Sequence, residues 1–280
     1  MPTLWINGAN IFFERSGEGV ETIVFSHGLL FDNRMWEAQV AHFKSNFCCI
    51  SYDHRGQGQS ESVGSLDMDT LYEDAASLIE KLSPNKPVHF VGLSMGGFVG
   101  MRLAARKPHL LKSLILMDTS SDPEPFKIKY ILLNMVFGWG GAKLVSQKVI
   151  DILFGKSSLS DNSKKEMLCK WKEIIENRPK EVTKAVAGVI HRQGVYPELS
   201  KIKIRTLVLV GDEDVATISA RAVRIHLAIS DSKLLTIHQA GHSSCLEQPQ
   251  IVNRFIEDFI LTPESLHVQE ISDSGNLALQ

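Results

Sequence analysis

The sequence predicts an α/β protein, with a mostly parallel, doubly wound sheet and a helical cap inserted into it. Two observations predict this class. Short apolar runs rich in β-branched residues alternate with segments of helical period in both end portions of the chain, which is typical of βαβ units. Between Asp122 and about Pro197 the sequence contains helix-like segments and no convincing buried strand. We therefore expect this middle portion to cover one end of the sheet.

The first portion of the chain supplies the strands that begin the sheet. Residues 4–7 and 11–14 flank a short turn-like segment and predict an antiparallel hairpin. Apolar runs predict buried strands at 22–26, 47–52, 88–91 and 111–118. Residues 69–82 carry apolar side chains at the period of an amphipathic helix, and residues 98–107 are also helix-prone.

The middle and final portions complete the predicted architecture. Helix-like segments in the middle are 128–137, 142–154, 160–177 and 179–191. Strands and helices then alternate again at 204–210, 218–227, 233–237 and 249–260. We divide the chain into a core of residues 1–121 and 198–262, a helical cap of residues 122–197, and a flexible C-terminal tail of residues 263–280 that has few large apolar side chains.

Composition limits the kinds of partner and location. The net charge of −2 gives no electrostatic reason to expect nucleic acid or an anionic membrane as a partner. Four cysteines in 280 residues do not form a disulfide framework, which indicates a reducing compartment. The N-terminus shows no secretory signal, and no stretch reaches the roughly 18 apolar residues of a membrane span. We expect a cytoplasmic protein, of undetermined oligomeric state.

The segment Gly92-Leu93-Ser94-Met95-Gly96 carries the strongest chemical signal. A glycine two residues before and after a serine, between a strand and a helix, is typical of a nucleophile elbow. Such a sharp turn leaves no room for side chains at the two flanking positions and lifts the hydroxyl out of the sheet. The alternative is a phosphate-binding loop, which would need a Lys-Ser/Thr pair that does not follow here.

A serine nucleophile needs a base and an acid that orients the base, and two later loops supply candidates. Asp214 follows the predicted strand 204–210, and His242 follows the predicted strand 233–237. The order Ser94, Asp214, His242 is the order expected for a serine nucleophile elbow of this kind, and ligands bind at the carboxyl ends of parallel strands. Asp212 and Asp118 are the rival candidates for the acid.

The predicted chemistry also needs two backbone donors for a developing oxyanion. The N–H after the nucleophile, that of Met95, is one, and Leu29 in the loop after the first buried strand is the other. His27 could be mistaken for a base or a metal ligand. The sequence has no closely spaced Cys/His set, so we expect no metal site and no cofactor.

Five motifs together resemble the α/β-hydrolase fold superfamily, over residues from about 4 to 260. They are Ser26-His27-Gly28, Tyr52 to Ser60, Gly92 to Gly97, Gly211 to Asp214 and Ala240 to Ser243. Within that superfamily the chain is similar to 3-oxoadipate enol-lactonase and related small serine carboxylesterases. The resemblance implies a hydrolase that cleaves a small carboxylic ester or lactone through a Ser-His-Asp triad and an acyl-enzyme. The serine at position 94 argues against haloalkane dehalogenases and epoxide hydrolases, which carry an aspartate nucleophile.

Other functions of the same scaffold stay open. An anionic enol-lactone would require a cation near the site, for which the candidates are Arg34, Arg55, His191 and Arg192. Of these, Arg55 is expected to hold its own glycine-rich loop together by hydrogen bonds. A cofactor-free haloperoxidase or perhydrolase would use the same triad. A non-catalytic ligand-binding module would have no need of all three residues.

The apolar segment 131–139 in the predicted cap has two interpretations. Met135, Phe137 and Trp139 could line an apolar pocket for the acyl or alcohol part of a substrate. Alternatively, the segment simply packs the insertion onto the sheet. In either case we expect a small-molecule substrate.

Overall fold

A computed structural model describes residues 2–262 of the chain and shows a twisted sheet of eight strands among them. The strands are β1 (Thr3–Ile6), β2 (Ala9–Ser16), β3 (Thr22–Ser26), β4 (Cys48–Tyr52), β5 (Val88–Leu93), β6 (Leu111–Met117), β7 (Thr206–Gly211) and β8 (Ser232–Ile237). Their order in the sheet is β1-β2-β4-β3-β5-β6-β7-β8. β1 and β2 pair antiparallel, β2 is antiparallel to β4, and all other neighbours are parallel, so the predicted mostly parallel sheet is confirmed.

Helices cover both faces of this sheet. They are α1 (Glu37–Phe43), α2 (Met68–Leu82), α3 (Met95–Arg106), α4 (Lys127–Gly140), α5 (Ser146–Leu153), α6 (Lys156–Ser160), α7 (Lys165–Glu176), α8 (Val182–Ile190), α9 (Ser219–Ala228), α10 (Ser244–Glu247) and α11 (Pro249–Leu261). Within residues 2–262, no helix combines the length and apolarity needed to cross a membrane.

The five helices α4 to α8 lie between β6 and β7, in the segment that the sequence predicts to be helical. We refer to residues 122–197 as the insertion. The division of the chain into a core and a cap remains a prediction. The predicted tail, residues 263–280, lies outside the residues that the structure describes.

The core lies on both faces of the sheet because successive residues of a strand point to opposite faces. In β3, Val24 packs with side chains of α2 and α3, whereas Ile23 and Phe25 pack with side chains of α1 and α11. All five residues of β3 are buried. This explains why the central strands are continuous apolar runs in the sequence.

Two details of the local structure bear on the sequence predictions. The predicted hairpin is confirmed as β1 and β2, and its turn residues Asn7 and Gly8 both have positive φ, as a tight two-residue hairpin requires. The prediction of a single helix over 160–177 is wrong. Asp161 accepts a hydrogen bond from the Ser163 backbone N–H and begins a separate 3₁₀ turn, so α7 starts only at Lys165.

Two buried or half-buried glutamates attach the insertion to the loops that follow β7 and β8. Glu213 accepts hydrogen bonds from the backbone N–H and the hydroxyl of Ser157, at 2.8 and 2.6 Å. Glu247 accepts from the backbone N–H groups of Gly155 and Gly241, both at 2.8 Å. The start of α6 is therefore bound to the same loops that contain Asp214 and His242.

The glycine-rich loop after β4 is held by a buried ion pair. The Arg55 guanidinium donates two hydrogen bonds to the carboxylate of Asp74 on α2, each at 2.7 Å. It also donates to the carbonyl groups of Asn7 and Val63. This is the loop-stabilising role expected for Arg55.

Replacing Arg55 with methionine should lower the free energy of unfolding by about 3 to 5 kcal/mol, because Asp74 would be left buried and unpaired. Urea denaturation of the two proteins measures the difference. The matched control is Arg254→Ala, which removes an exposed pair with Asp258 and should cost less than about 1 kcal/mol. Equal losses in the two variants would show that the Arg55 pair is not a stabilising contact.

Candidate active site

Ser94 lies in a sharp turn between β5 and α3. Its backbone has φ +53° and ψ −108°, a conformation that few residues other than glycine adopt. A Cβ atom on Gly92 would collide with the carbonyl group of Gly96, and one on Gly96 would collide with the carbonyl group of Ser26. Only glycine fits at either position, for the reason that the motif indicated.

The structure brings together the three residues predicted to form a triad. His242 Nε2 lies 2.8 Å from the hydroxyl of Ser94, and His242 Nδ1 lies 2.9 Å from Asp214 Oδ2. Asp214 also accepts hydrogen bonds from the backbone N–H of Thr217, at 2.9 Å, and from its hydroxyl, at 2.7 Å. The motifs did not single out Thr217, which follows Asp214 by three residues and holds the carboxylate in place.

The charges of this group favour a positive histidine next to a negative aspartate. Burial on its own lowers the pKa of His242, but the charge and the hydrogen bond of Asp214 outweigh burial and raise that pKa above its ordinary value. Burial on its own raises the pKa of Asp214, but His242 and the hydrogen bonds from Thr217 lower it overall. Asp214 therefore stays ionised and stabilises the protonated imidazole.

The two rival acids have other partners. Asp118 accepts hydrogen bonds from the backbone N–H of Gly211, at 2.8 Å, and from the hydroxyl of Ser244, at 2.5 Å. Burial, followed by repulsion from Asp214, raises the pKa of Asp118 to about 8, so this carboxyl is mostly neutral at pH 7. Asp212 pairs with the exposed side chain of His238. Neither contacts His242 by a hydrogen bond.

The loop after β3 places Leu29 in the wall of the cavity that Ser94 also lines. Leu30 has a positive φ of +68°, and this conformation is held from two sides. The Leu30 N–H donates to Gln57 Oε1 at 2.8 Å, and the Leu30 carbonyl accepts from Arg178 Nε of the insertion at 3.1 Å. Across residues 2–262, the N–H groups of Leu29 and Met95 donate to no protein acceptor, which leaves both free for a substrate oxygen.

His27 connects this loop to the loop that follows β4 by hydrogen bonds. Its Nδ1 lies 2.7 Å from the Gly28 carbonyl, and its Nε2 accepts a hydrogen bond from the backbone N–H of His54 at 2.9 Å. Burial lowers the pKa of His27 to about 4, so the ring is neutral and its Nδ1–H donates to Gly28. These contacts indicate that His27 has a structural role in the loop.

A largely apolar cavity opens over Ser94 and His242. Its apolar wall includes Leu30, Phe31, Phe98, Leu133, Phe137, Val145, Val149, Ile152, Leu153, Val186, Val189 and Ile190. Its polar wall, besides Ser94 and His242, includes Glu124, Tyr130, Asn134 and Arg192. Most of these residues belong to the insertion, which therefore shapes the cavity. In the described part of the chain, no group of three His, Cys, Asp or Glu side chains is placed to hold a metal ion.

Only one of the three predicted pocket residues lines this cavity. Phe137 is buried in the cavity wall. Met135 and Trp139 are exposed on the other side of α4, so their predicted role in the pocket is wrong. The physical reason is the helical period, because residues two positions apart point in very different directions around a helix.

One of the four candidate cations lies in the cavity wall. Arg192 is buried, stacks over the Phe98 ring at 4.4 Å and pairs with Glu124 at 3.0 Å. Arg34 pairs with Asp32, Arg55 holds its own loop, and neither these two nor His191 line the cavity. Because the guanidinium of Arg192 is already paired with a carboxylate, the cavity offers a negative substrate group little uncompensated charge.

Known proteins resemble this chain in sequence and in structure. The chain is 27% identical to 3-oxoadipate enol-lactonase 2 from Acinetobacter baylyi, over 84% of this chain and 86% of that protein. It is 25% identical to a putative non-heme bromoperoxidase, BpoC, from Mycobacterium tuberculosis, over 87% of this chain and 95% of that protein. A thermophilic esterase from Thermogutta terrifontis superimposes with a TM-score of 0.84 at 27% identity, covering 92% of this chain and 96% of that one.

A family-level comparison agrees with these individual similarities. The model of the alpha/beta hydrolase fold family matches residues 21–249, which is most of the chain. The matched range includes the turn at Ser94 and the loops that contain Asp214 and His242. The chain belongs to the α/β-hydrolase fold family, as its motifs predicted.

Proposed function

We propose that this protein is a serine hydrolase that cleaves small, neutral carboxylic esters. The observation that carries the proposal is the hydrogen-bonded relay from Ser94 through His242 to Asp214, at the base of a largely apolar cavity. Membership of a hydrolase family, with an esterase and an enol-lactonase among its relatives, supports an enzyme of ester or lactone hydrolysis.

The geometry suggests the following chemical sequence. The Ser94 oxygen attacks the ester carbonyl while His242 Nε2 accepts the hydroxyl proton. The N–H groups of Leu29 and Met95 stabilise the negative oxygen, and Asp214 stabilises the protonated ring. His242 then gives its proton to the leaving alcohol, and the acyl group stays on Ser94. Water activated by His242 releases the acid and restores the serine.

The cavity favours a neutral substrate over an anionic one. Arg192 is the single candidate cation in the described cavity wall, and Glu124 offsets its charge. Hydrolysis of an anionic enol-lactone is the second candidate, supported by the enol-lactonase relative and by the presence of Arg192. A perhydrolase reaction is a further alternative supported by the bromoperoxidase relative, and an assay for peracid formation separates it from hydrolysis.

Ser94→Ala should lower the turnover of a p-nitrophenyl ester by roughly 10⁴-fold or more, because the nucleophile is lost. A fluorophosphonate probe should label the wild-type protein at Ser94 and leave the variant unlabelled. Peptide mapping by mass spectrometry locates the label. Unchanged turnover in the variant would exclude an acyl-enzyme on Ser94, and absence of both turnover and labelling in the wild-type protein would favour a binding module.

Asp214→Asn and Asp118→Asn form a matched pair of variants. Asp214→Asn should lower kcat by about 10⁴-fold, because the ring loses both its orientation and its counter-charge. Asp118→Asn should cost less than about tenfold, since a neutral amide replaces a carboxyl that is already mostly neutral. Steady-state kinetics at pH 7 compare them. A larger loss in Asp118→Asn would assign the orienting role to Asp118.

The pH dependence of kcat/KM should follow the ionisation of His242. The ring acts as a base only when neutral, and Asp214 raises its pKa above the ordinary value of 6.5. Activity should therefore fall as the pH drops, with the midpoint of that acid limb above pH 6.5. In Asp214→Asn the residual activity should show its midpoint at lower pH, because burial still disfavours the charged ring and the carboxylate is gone. A midpoint that does not move would show that Asp214 does not act on His242.

Competition between a neutral short-chain ester and an anionic enol-lactone tests the substrate class. The wild-type protein should favour the ester in kcat/KM. Glu124→Gln should raise kcat/KM for the lactone by about tenfold or more, because it frees the charge of Arg192, and it should change the value for the ester little. A preference of the wild-type protein for the lactone by about a hundredfold, lost in Arg192→Met, would establish the anionic substrate instead.

A further inference from the structure

Helix α4 presents apolar side chains to solvent along one side. The α4 stripe consists of Ile128, Leu132, Met135, Val136 and Trp139, all of them exposed. With about 100° between successive residues, the five lie within an arc of roughly 100° on the helix surface. The opposite side of α4, which includes Tyr130, Leu133 and Phe137, lines the cavity. One helix therefore has a face toward the cavity and a second apolar face that no described residue covers.

Such a stripe needs a physical explanation, because large contiguous apolar patches on a protein surface mark interaction sites. Trp139 is 85% exposed, although an indole ring is among the most favourable side chains to bury. Helix α7, also part of the insertion, carries a tryptophan, Trp171, whose side chain is only 1% exposed. Exposure of a tryptophan is therefore not a general property of the helices of the insertion.

Residues 125–150, which include α4, carry charges of one sign only. Residues 125–150 contain four lysines and no aspartate or glutamate, although the whole chain has a net charge of −2. Lys127 and Lys129 lie on α4, Lys143 follows it, and Lys180 donates from Nζ to the carbonyl of Trp139 at 3.3 Å. We call Lys127, Lys129, Lys143 and Lys180 the α4 lysines; Lys148, the fourth lysine of residues 125–150, lies on α5 and is not among them. In the structure of residues 2–262, none of them forms a salt bridge with a carboxylate.

We propose that the α4 stripe docks on the surface of an anionic lipid bilayer. Apolar and aromatic side chains on one side of a helix, bordered by lysines, are the features of a helix that lies in a membrane interface. The stripe would enter the boundary between headgroups and acyl chains, and the α4 lysines would face the anionic headgroups. The net charge of the whole chain gave no sign of this partner, because the positive charges are concentrated at one place.

A second copy of the chain fits this surface less well. In a symmetric dimer each copy contributes the same patch, so two sets of the α4 lysines would face each other. Like charges at close range destabilise such a contact, whereas an anionic bilayer attracts them. The charge around the stripe therefore selects lipid as the partner.

Sedimentation with lipid vesicles tests the proposal on the full chain. One set of vesicles contains phosphatidylcholine alone, and the other contains equal amounts of phosphatidylcholine and phosphatidylserine. We expect the partition coefficient to be at least about tenfold higher with the anionic vesicles and to fall as salt is added. Because binding is measured without turnover of any ester, the outcome is separate from that of the proposed hydrolysis.

Matched variants assign the binding to this surface. Trp139→Ser should weaken binding by about tenfold or more, whereas Trp5→Ser, which removes an indole that is 60% exposed on β1, should not. The double variant Lys127→Glu with Lys129→Glu should weaken binding by about thirtyfold or more. Its control, Lys44→Glu with Lys86→Glu, makes the same change in net charge elsewhere on the surface.

Three results would overturn the proposal. One is equal partition of the wild-type protein into neutral and anionic vesicles. A second is an equal loss of binding in a variant and its matched control, which would mean that the binding does not depend on the α4 stripe or its lysines. The third is a dimer in the absence of lipid that Trp139→Ser dissociates, measured by light scattering, because the stripe would then be an interface between two copies.

Discussion

The backbone conformation of Ser94 is the constraint on which the rest of the candidate site depends. The turn from β5 to α3 is so tight that Gly92 and Gly96 touch neighbouring carbonyl groups where any side chain would collide. The close approach of Gly96 to Ser26 also brings the first turn of α3 next to the end of β3. As a result, Ser94 and the loop that contains Leu29 meet at the wall of the same cavity, which is the arrangement that the proposed mechanism needs.

The second feature is the different charge of two buried carboxyls near His242. Asp118 and Asp214 lie close enough to repel each other, and of the two only Asp214 is hydrogen-bonded to His242. Asp118 is hydrogen-bonded to Gly211 and Ser244 and stays mostly neutral, so the negative charge is concentrated beside the histidine. Two carboxyl groups at the ends of adjacent strands thereby take different tasks, one in fixing loop structure and one in holding a charge.

The insertion does more than cover the site. Arg178 holds the carbonyl of Leu30, and the start of α6 is bound by Glu213 and Glu247, so the insertion takes part in fixing the loops around the relay. It also supplies most of the cavity wall. Helix α4 carries apolar side chains on two sides, one exposed and one in the cavity wall. Its composition alone therefore does not tell which side faces the cavity.

The sequence by itself determined the features that depend on neighbouring residues. The apolar periods predicted the strands, the spacing of Gly92 and Gly96 predicted the turn at Ser94, and strand ends predicted the positions of Asp214 and His242. Only the tertiary structure decided which of three aspartates contacts His242, that Glu124 offsets the charge of Arg192, and that Trp139 points away from the cavity. These outcomes depend on contacts between distant parts of the chain, such as that between Glu124 and Arg192, which lie 68 positions apart. The local pattern of a sequence does not contain such distances, because they arise only when the sheet and the insertion pack together.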